Sequence, residues 1–225
     1  MIKCLGPVNV IQVASGDNHC LALAKGGQLY AWGDNEFGQL GLGPCVGQKV
    51  NVPTPVECLT SLPIRSISAG SHHSFLVSVS GAVYAWGKNN KGQLGLGDNQ
   101  DRIFPTQVRS LRNQKICHVT CGAEHTLCLT EEGGVFSFGS GQFGQLGHGS
   151  KSDEQLPRKI IELMGTEVSQ IACGKKHSLA FVPTRGRLYA FGLGGSGQLG
   201  NNVYTCATTP QIVHGPWVGP TGKVY

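Results

Sequence analysis

The side chains of this 225-residue sequence best suited to acid–base, metal or thiol chemistry are eight histidines and nine cysteines. Four of the histidines close a Gly-x-x-His box, at Gly16 to His19, Gly70 to His73, Gly122 to His125 and Gly174 to His177. An imidazole binds zinc or carries a proton near neutral pH, so four of them invite a shared centre. A zinc site, however, needs three or four ligands converging within about 2 Å of one ion, whereas a residue that recurs once per unit at one fixed position serves its unit. The expectation is structural: each ring nitrogen bonds a backbone carbonyl or amide of its own unit, leaving no buried donor unsatisfied.

The cysteines, at 4, 20, 45, 58, 117, 121, 128, 173 and 206, match neither a zinc ligand set nor a redox Cys-x-x-Cys. Cys20, Cys128 and Cys173 lie in apolar runs, where a thiol behaves as a small hydrophobe. The odd count favours reduced thiols and a cytoplasmic chain. A Gly-Gln-Leu-Gly string stands at Gly38 to Gly41, Gly92 to Gly95, Gly144 to Gly147 and Gly197 to Gly200. Phosphate cradles made of such glycines open a helix, and nothing after Gly41 or Gly95 has a helical pattern. These glycines are expected to hold positive φ, with the leucine packed inward to pin the loop under its own unit. No Ser/His/Asp or Cys/His pairing argues for catalysis, and Glu131 and Glu132 read as wet side chains at a hairpin tip. The expectation is no catalytic residue, no metal and no cofactor.

The elements that carry these letters repeat. Beyond each box comes an aromatic followed by glycine: Trp32 and Gly33, Trp86 and Gly87, Phe138 and Gly139, Phe191 and Gly192. Those glycines are 54, 52 and 53 residues apart, and histidine precedes aromatic by 13 residues three times and by 14 in the last unit, where Pro183 enlarges a turn. A period near 50 marks a propeller or a solenoid. In His19 to Ala24, large Leu21 and Leu23 alternate with small Cys20, Ala22 and Ala24, giving a strand one bulky face and one flat one. Sheets stacked face to face require that alternation.

The fold predicted is all-β: a β-propeller of four four-stranded blades at residues 10–63, 64–115, 116–166 and 167–214. Residues 1–9 read as a leader or loop, and 215–225 as a linker or truncated end. The fourth, outermost strands are expected at Pro55 to Leu59, Thr106 to Leu111, Arg158 to Leu163 and Gln211 to Val213.

Composition narrows the classes further. The 34 glycines follow no G-X-Y period, which excludes collagen. A net charge of +5 with 14% charged residues, evenly spread, gives ordinary solubility and leaves nucleic acid or a nucleosome as a lesser option. There is no basic leader with an apolar core and no apolar run approaching a membrane span, so no membrane partner is expected.

On a repeated scaffold, a unique function belongs to the residues outside the pattern. Two such stretches are candidate partner contacts: the basic connection Arg109, Arg112 and Lys115, and the loop Gln142 to Gln155 with Phe143 and Lys151. The pairing of Gly-x-x-His with aromatic-Gly-x4-Gly-Gln-Leu-Gly over Val10 to Val213 resembles the repeat of the regulator of chromosome condensation family. Leu111 to Ile116, Glu131 to Gly139, Glu162 to Gly174 and Ala180 to Gly192 resemble the small HERC proteins, HECT-type ubiquitin ligases that carry one such propeller. The resemblance implies the later four blades of a seven-bladed ring, with a linker to the ligase half beginning near Trp217. It implies recruitment of a substrate or partner for a ubiquitin or ubiquitin-like ligase, without transferase activity in this chain, which lacks the HECT domain. The same family leaves two alternatives: regulation of a small GTPase by nucleotide exchange, for which no residue set carries over, and chromatin binding. With blades missing, units one and four should each present an uncovered face, so the chain is expected to self-associate.

Overall fold

The computed structural model describes residues 6, 8–44 and 47–215. Cys4, Cys45, most of the 1–9 leader and the 216–225 part of the C-terminal linker lie outside them. Among the described residues the chain forms four antiparallel sheets, each of four strands in chain order. Blade one is β1 (Val10–Ser15), β2 (His19–Ala24), β3 (Leu29–Asp34) and β4 (Lys49–Pro55). Blade two is β5 (Ile64–Ala69), β6 (His73–Ser78), β7 (Val83–Gly87) and β8 (Arg102–Gln107). Blade three is β9 (Ile116–Cys121), β10 (His125–Thr130), β11 (Val135–Gly139) and β12 (Glu154–Lys159). Blade four is β13 (Gln170–Cys173), β14 (His177–Val182), β15 (Arg187–Gly192) and β16 (Ala207–Val213). This is the partial propeller that the repeat predicts.

The outermost strands differ from the sequence reading. They begin four to six residues earlier than expected, and the apolar letters that drew the prediction, Glu57–Leu59, Arg109–Leu111 and Ile161–Leu163, form single 3-10 turns instead. The reason is physical. An outermost strand is wet along one edge and tolerates a residue with no N–H, so Pro53, Pro105, Pro157 and Pro210 sit inside these strands, where an apolar pattern is weakest. The stronger apolar signal just beyond belongs to anchors: Leu59, Leu111 and Leu163 are buried in the core.

The core lies between the blades. One cluster joins Leu21, Leu23 and Leu29 of blade one to Ile67, Leu76 and Trp86 of blade two. A second joins Phe75 and Val77 to Val119, Cys128 and Phe138, and a third joins Leu127 and Leu129 to Ile171, Ala180 and Phe191. Apolar side chains of one sheet thus meet those of the next, Phe75 and Phe138 with ring centroids 6.0 Å apart among them, and apolar contact area supplies the cohesion, at about 25 cal/mol per Å² removed from water. Covering both faces leaves a clear mark. Every residue of β6 and β10 is buried, whereas β1 alternates half-buried and exposed, and β14 alternates half-buried and buried.

Candidate functional site

The Gly-x-x-His box places its histidine by a tight turn. The Gly16 amide donates to the His19 carbonyl at 2.9 Å, and the same bond recurs at Gly70, Gly122 and Gly174. A Cβ on any of these glycines would collide with Cε1 of its own histidine, so the imidazole occupies the space that a side chain would need. The ring then reaches across to the following blade. His19 Nε2 lies 2.8 Å from Ser74 Oγ, His73 Nε2 3.2 Å from Thr126 Oγ1, and His125 Nε2 3.0 Å from Ser178 Oγ. Each hydroxyl donates its own proton to a backbone carbonyl, of Gln39, Gln93 and Gln145, at 2.8 to 2.9 Å. Nε2 must therefore be the donor, and Nδ1 is a bare, buried nitrogen without a partner in His19, His73 and His125.

These contacts correct the expectation that each ring would bond backbone groups of its own unit. The sheet is covered on both faces, so the far edge of the ring meets a neighbour. The sequence carried a signal for this in the hydroxyl that follows histidine in three units, Ser74, Thr126 and Ser178. Burial lowers the imidazole pKa to about 4 in His19 and about 3 in His73 and His125. These rings are neutral at physiological pH, and each is committed to its own seam. Among the described residues no group of three or more His, Cys, Asp or Glu could hold a metal ion. His177 is only half-buried, and no hydroxyl meets it among the described residues.

The Gly-Gln-Leu-Gly loops also serve the next blade. Gly38 and Gly41 hold φ of 78° and 70°. A Cβ on Gly41 would sit 2.9 Å from Trp86 Nε1, and one on Gly95 2.8 Å from the Phe138 ring. Trp86 Nε1 donates to the Gln39 carbonyl at 2.9 Å, while the Gln39 side chain accepts from the Phe37 amide at 2.9 Å and shapes its own loop. The leucines, Leu40, Leu94, Leu146 and Leu199, are buried. The loop was expected to be pinned under its own unit; its backbone is in fact a platform for the aromatic of the following one. Trp86, Phe138 and Phe191 are accordingly fully buried, while Trp32 is half-exposed.

Burial raises the Cys121 thiol to about 12 and the Cys128 and Cys173 thiols well above the ordinary value, so none of these is a ready nucleophile. The seven described cysteines are free.

What remains for function is the two ends of the strands, and the sequence candidates fall on both. Arg109, Arg112 and Lys115 are exposed on the connection from β8 to β9, beside the β10–β11 hairpin, where the Glu131 amide donates to the Lys115 carbonyl at 2.9 Å. Phe143 and Lys151 belong to the β11–β12 loop at the opposite end. The structure does not bring the two groups together. Beside Phe143 it places Lys176, with Nζ 4.5 Å from the ring centroid, and the arrangement recurs where Lys88 Nζ lies 4.5 Å over Phe37. His72 adds a tilted ring 5.3 Å from Phe37. Sequence reading missed Phe37, Lys88 and Lys176, because each pair forms only where two blades adjoin. Half-buried aromatics under cations form a surface suited to recognition.

Fold and repeat together define a β-propeller of four-stranded blades. The sequence matches the family model described as RCC1-like domain over residues 2–224, and the chain belongs to that family. It is 50% identical to the probable E3 ubiquitin-protein ligase HERC3 of Homo sapiens over 225 residues, and 49% identical to HERC4 of Rattus norvegicus over 223. The alignments cover 100% and 99% of this chain but 21% of each relative, so the chain spans about a fifth of their length. Among solved structures, human WBSCR16 superposes with a TM-score of 0.82 at 28% identity, over 92% of this chain and 53% of that one.

Proposed function

We propose that this chain is a protein-recruiting propeller of a HERC-type ubiquitin or ubiquitin-like ligase, and that the partner docks on the end that carries the β1–β2 and β3–β4 loops. The observation that carries the reading is the pair of aromatic and lysine contacts, Phe37 with Lys88 and Phe143 with Lys176, which occur at two of the three seams and on one end of the blades. Catalysis of ubiquitin transfer belongs to another part of such a ligase. Here the titratable groups of the repeat are buried and neutral, while the loop end offers cation, ring and hydrogen-bonding groups to a protein surface.

Quantitative affinity capture tests the reading with three forms of the chain: the native sequence, Phe37→Ala with Phe143→Ala, and Arg109→Ala with Arg112→Ala and Lys115→Ala. The first pair of substitutions should remove the specific partners, and the second set, on the opposite end, should leave them. Loss on the basic connection alone would move the docking face. Accelerated release of labelled nucleotide from small GTPases would replace recruitment with exchange, and salt-sensitive binding of nucleosomes would replace it with chromatin attachment.

A further inference from the structure

We propose that the outer rim between blades two and three is a second docking surface. It takes an acidic segment of a protein partner, held by one aliphatic side chain and by the carboxylates beside it. This surface is separate from the loop end and does not rest on the reading given for that end.

The surface is built at a seam between blades that each have a neighbour on both sides. A groove of about 280 Å³ lies there, with Leu96, Thr106, Arg109 and Ser110 of blade two on one side and Leu156 of β12 in blade three on the other. Two bonds fix its shape: the Gly97 amide donates to the Gln155 carbonyl at 3.0 Å, and Ser110 Oγ donates to the Gly95 carbonyl at 3.4 Å. Gly95 in turn rests on the buried Phe138 ring, so the floor of the groove is anchored in the core. A site already in its binding shape leaves little ordering for association to impose. Leu156 is 51% exposed and Leu96 is half-buried, which leaves apolar surface in contact with water. Small-molecule sites enclose roughly 300 to 1,000 Å³. The groove falls below that range, a size for one side chain of an extended segment.

The charge around the groove is unbalanced. Arg102 is held by Asp98, with Nη2 donating to Oδ2 at 2.6 Å, and Arg158 by Glu154, with Nη1 donating to Oε1 at 2.7 Å. Arg109 in the groove, and Arg112 and Lys115 just after it in the chain, are exposed and have no acidic partner among the described residues. A guanidinium binds a carboxylate through paired, charge-assisted hydrogen bonds. An acidic segment is therefore what the rim selects once an aliphatic residue is seated between Leu96 and Leu156. None of the lining residues is aromatic, so the groove offers no ring on which a nucleic-acid base could stack.

The neighbouring seam shows that this charge is particular to one place. The corresponding groove between blades one and two is walled by Leu42 and Phe104, and there Glu57 stands in the position of Arg109. In blade three that position belongs to Ile161. The backbone of the rim repeats while its charge does not, and a scaffold of repeats carries a unique contact at such a departure.

Fluorescence anisotropy tests the inference on the 225-residue chain with a library of fluorescein-labelled synthetic peptides. Each peptide is a stretch of glutamate, aspartate and serine with one leucine at a different place. Defined peptides keep the outcome apart from the fate of partners at the loop end. At least one member should bind saturably, and replacing its leucine by serine should weaken binding by roughly tenfold. Arg109→Glu and Leu156→Asp, both at exposed positions, should each weaken it by roughly tenfold, with circular dichroism to verify folding. Lys25→Glu, an equal charge change on the exposed β2–β3 hairpin of blade one, should leave the affinity unchanged. Absence of binding by every member, binding that ignores the leucine, or equal losses for Arg109→Glu and Lys25→Glu would each overturn the inference. Duplex DNA that binds more tightly than every peptide and loses its hold in Arg109→Glu would give the rim to nucleic acid and overturn it as well.

Discussion

Protonating His73 would put a second N–H on a ring nitrogen that has no acceptor in a site closed to water. The same holds for His19 and His125, and the sign of the resulting pH dependence follows. Above the ordinary value of 6.5 both folded and unfolded chains carry neutral rings. Below it the unfolded chain takes up protons, while the folded chain does not until about 4 for His19 and about 3 for His73 and His125. Stability is therefore full above 6.5 and falls as pH drops through that window, by about 1.4 kcal/mol per pH unit for each ring. Urea unfolding at about pH 7 and about pH 5.5 should show the fall, and His73→Gln should make it shallower; equal stabilities at the two pH values would contradict the buried neutral rings. Trp86→Ala should cost about 3 to 5 kcal/mol, as a large-to-small change in a closed core. Trp32→Ala should cost about 1 kcal/mol or less, because its ring is half-exposed. Equal shifts in the unfolding midpoint would show that the seams do not set the burial of these rings.

At the scale of an element, the loop that supports the next aromatic is the most constrained piece of the fold. Gly95→Ala forces a side chain onto φ of +71° and into the Phe138 ring, and should cost about 2 kcal/mol or more, read as a lowered melting temperature. Gly26→Ala, whose added Cβ would meet nothing within 4 Å, should be close to neutral. The legibility of the sequence follows the same physics. Strands such as His125–Thr130 were readable because an alternating pattern must satisfy two covered faces at once. Arg102–Gln107 was not readable, because a wet edge strand containing Pro105 puts little constraint on its letters. The candidate site divided in the same way. Phe143 stood out as an aromatic in a charged loop, while its partner Lys176 lies in a different repeat and could be paired with it only once adjacent blades were known. The histidines were read as bonding within their own units, whereas three of them meet a hydroxyl of the next blade, since a single unit cannot show what lies across its face.

For the whole molecule, stability is a sum of sheets and seams, and the two inner blades have a seam on each side. Amide hydrogen exchange should be slowest in β6 and β10, buried at every residue, and fastest in the wet outermost strands β4 and β12. Uniform protection across the four blades would argue for one indivisible folding unit. The hydroxyl, ring and glycine contacts that join one blade to its successor have a further meaning for descent. Every such union is divided in the same manner, with the histidine and the supporting loop on the earlier copy and the hydroxyl and the aromatic on the later. Deleting or duplicating one whole module therefore brings together ends that already fit, and an ancestral gene was free to lengthen or shorten its array without inventing new adhesive chemistry.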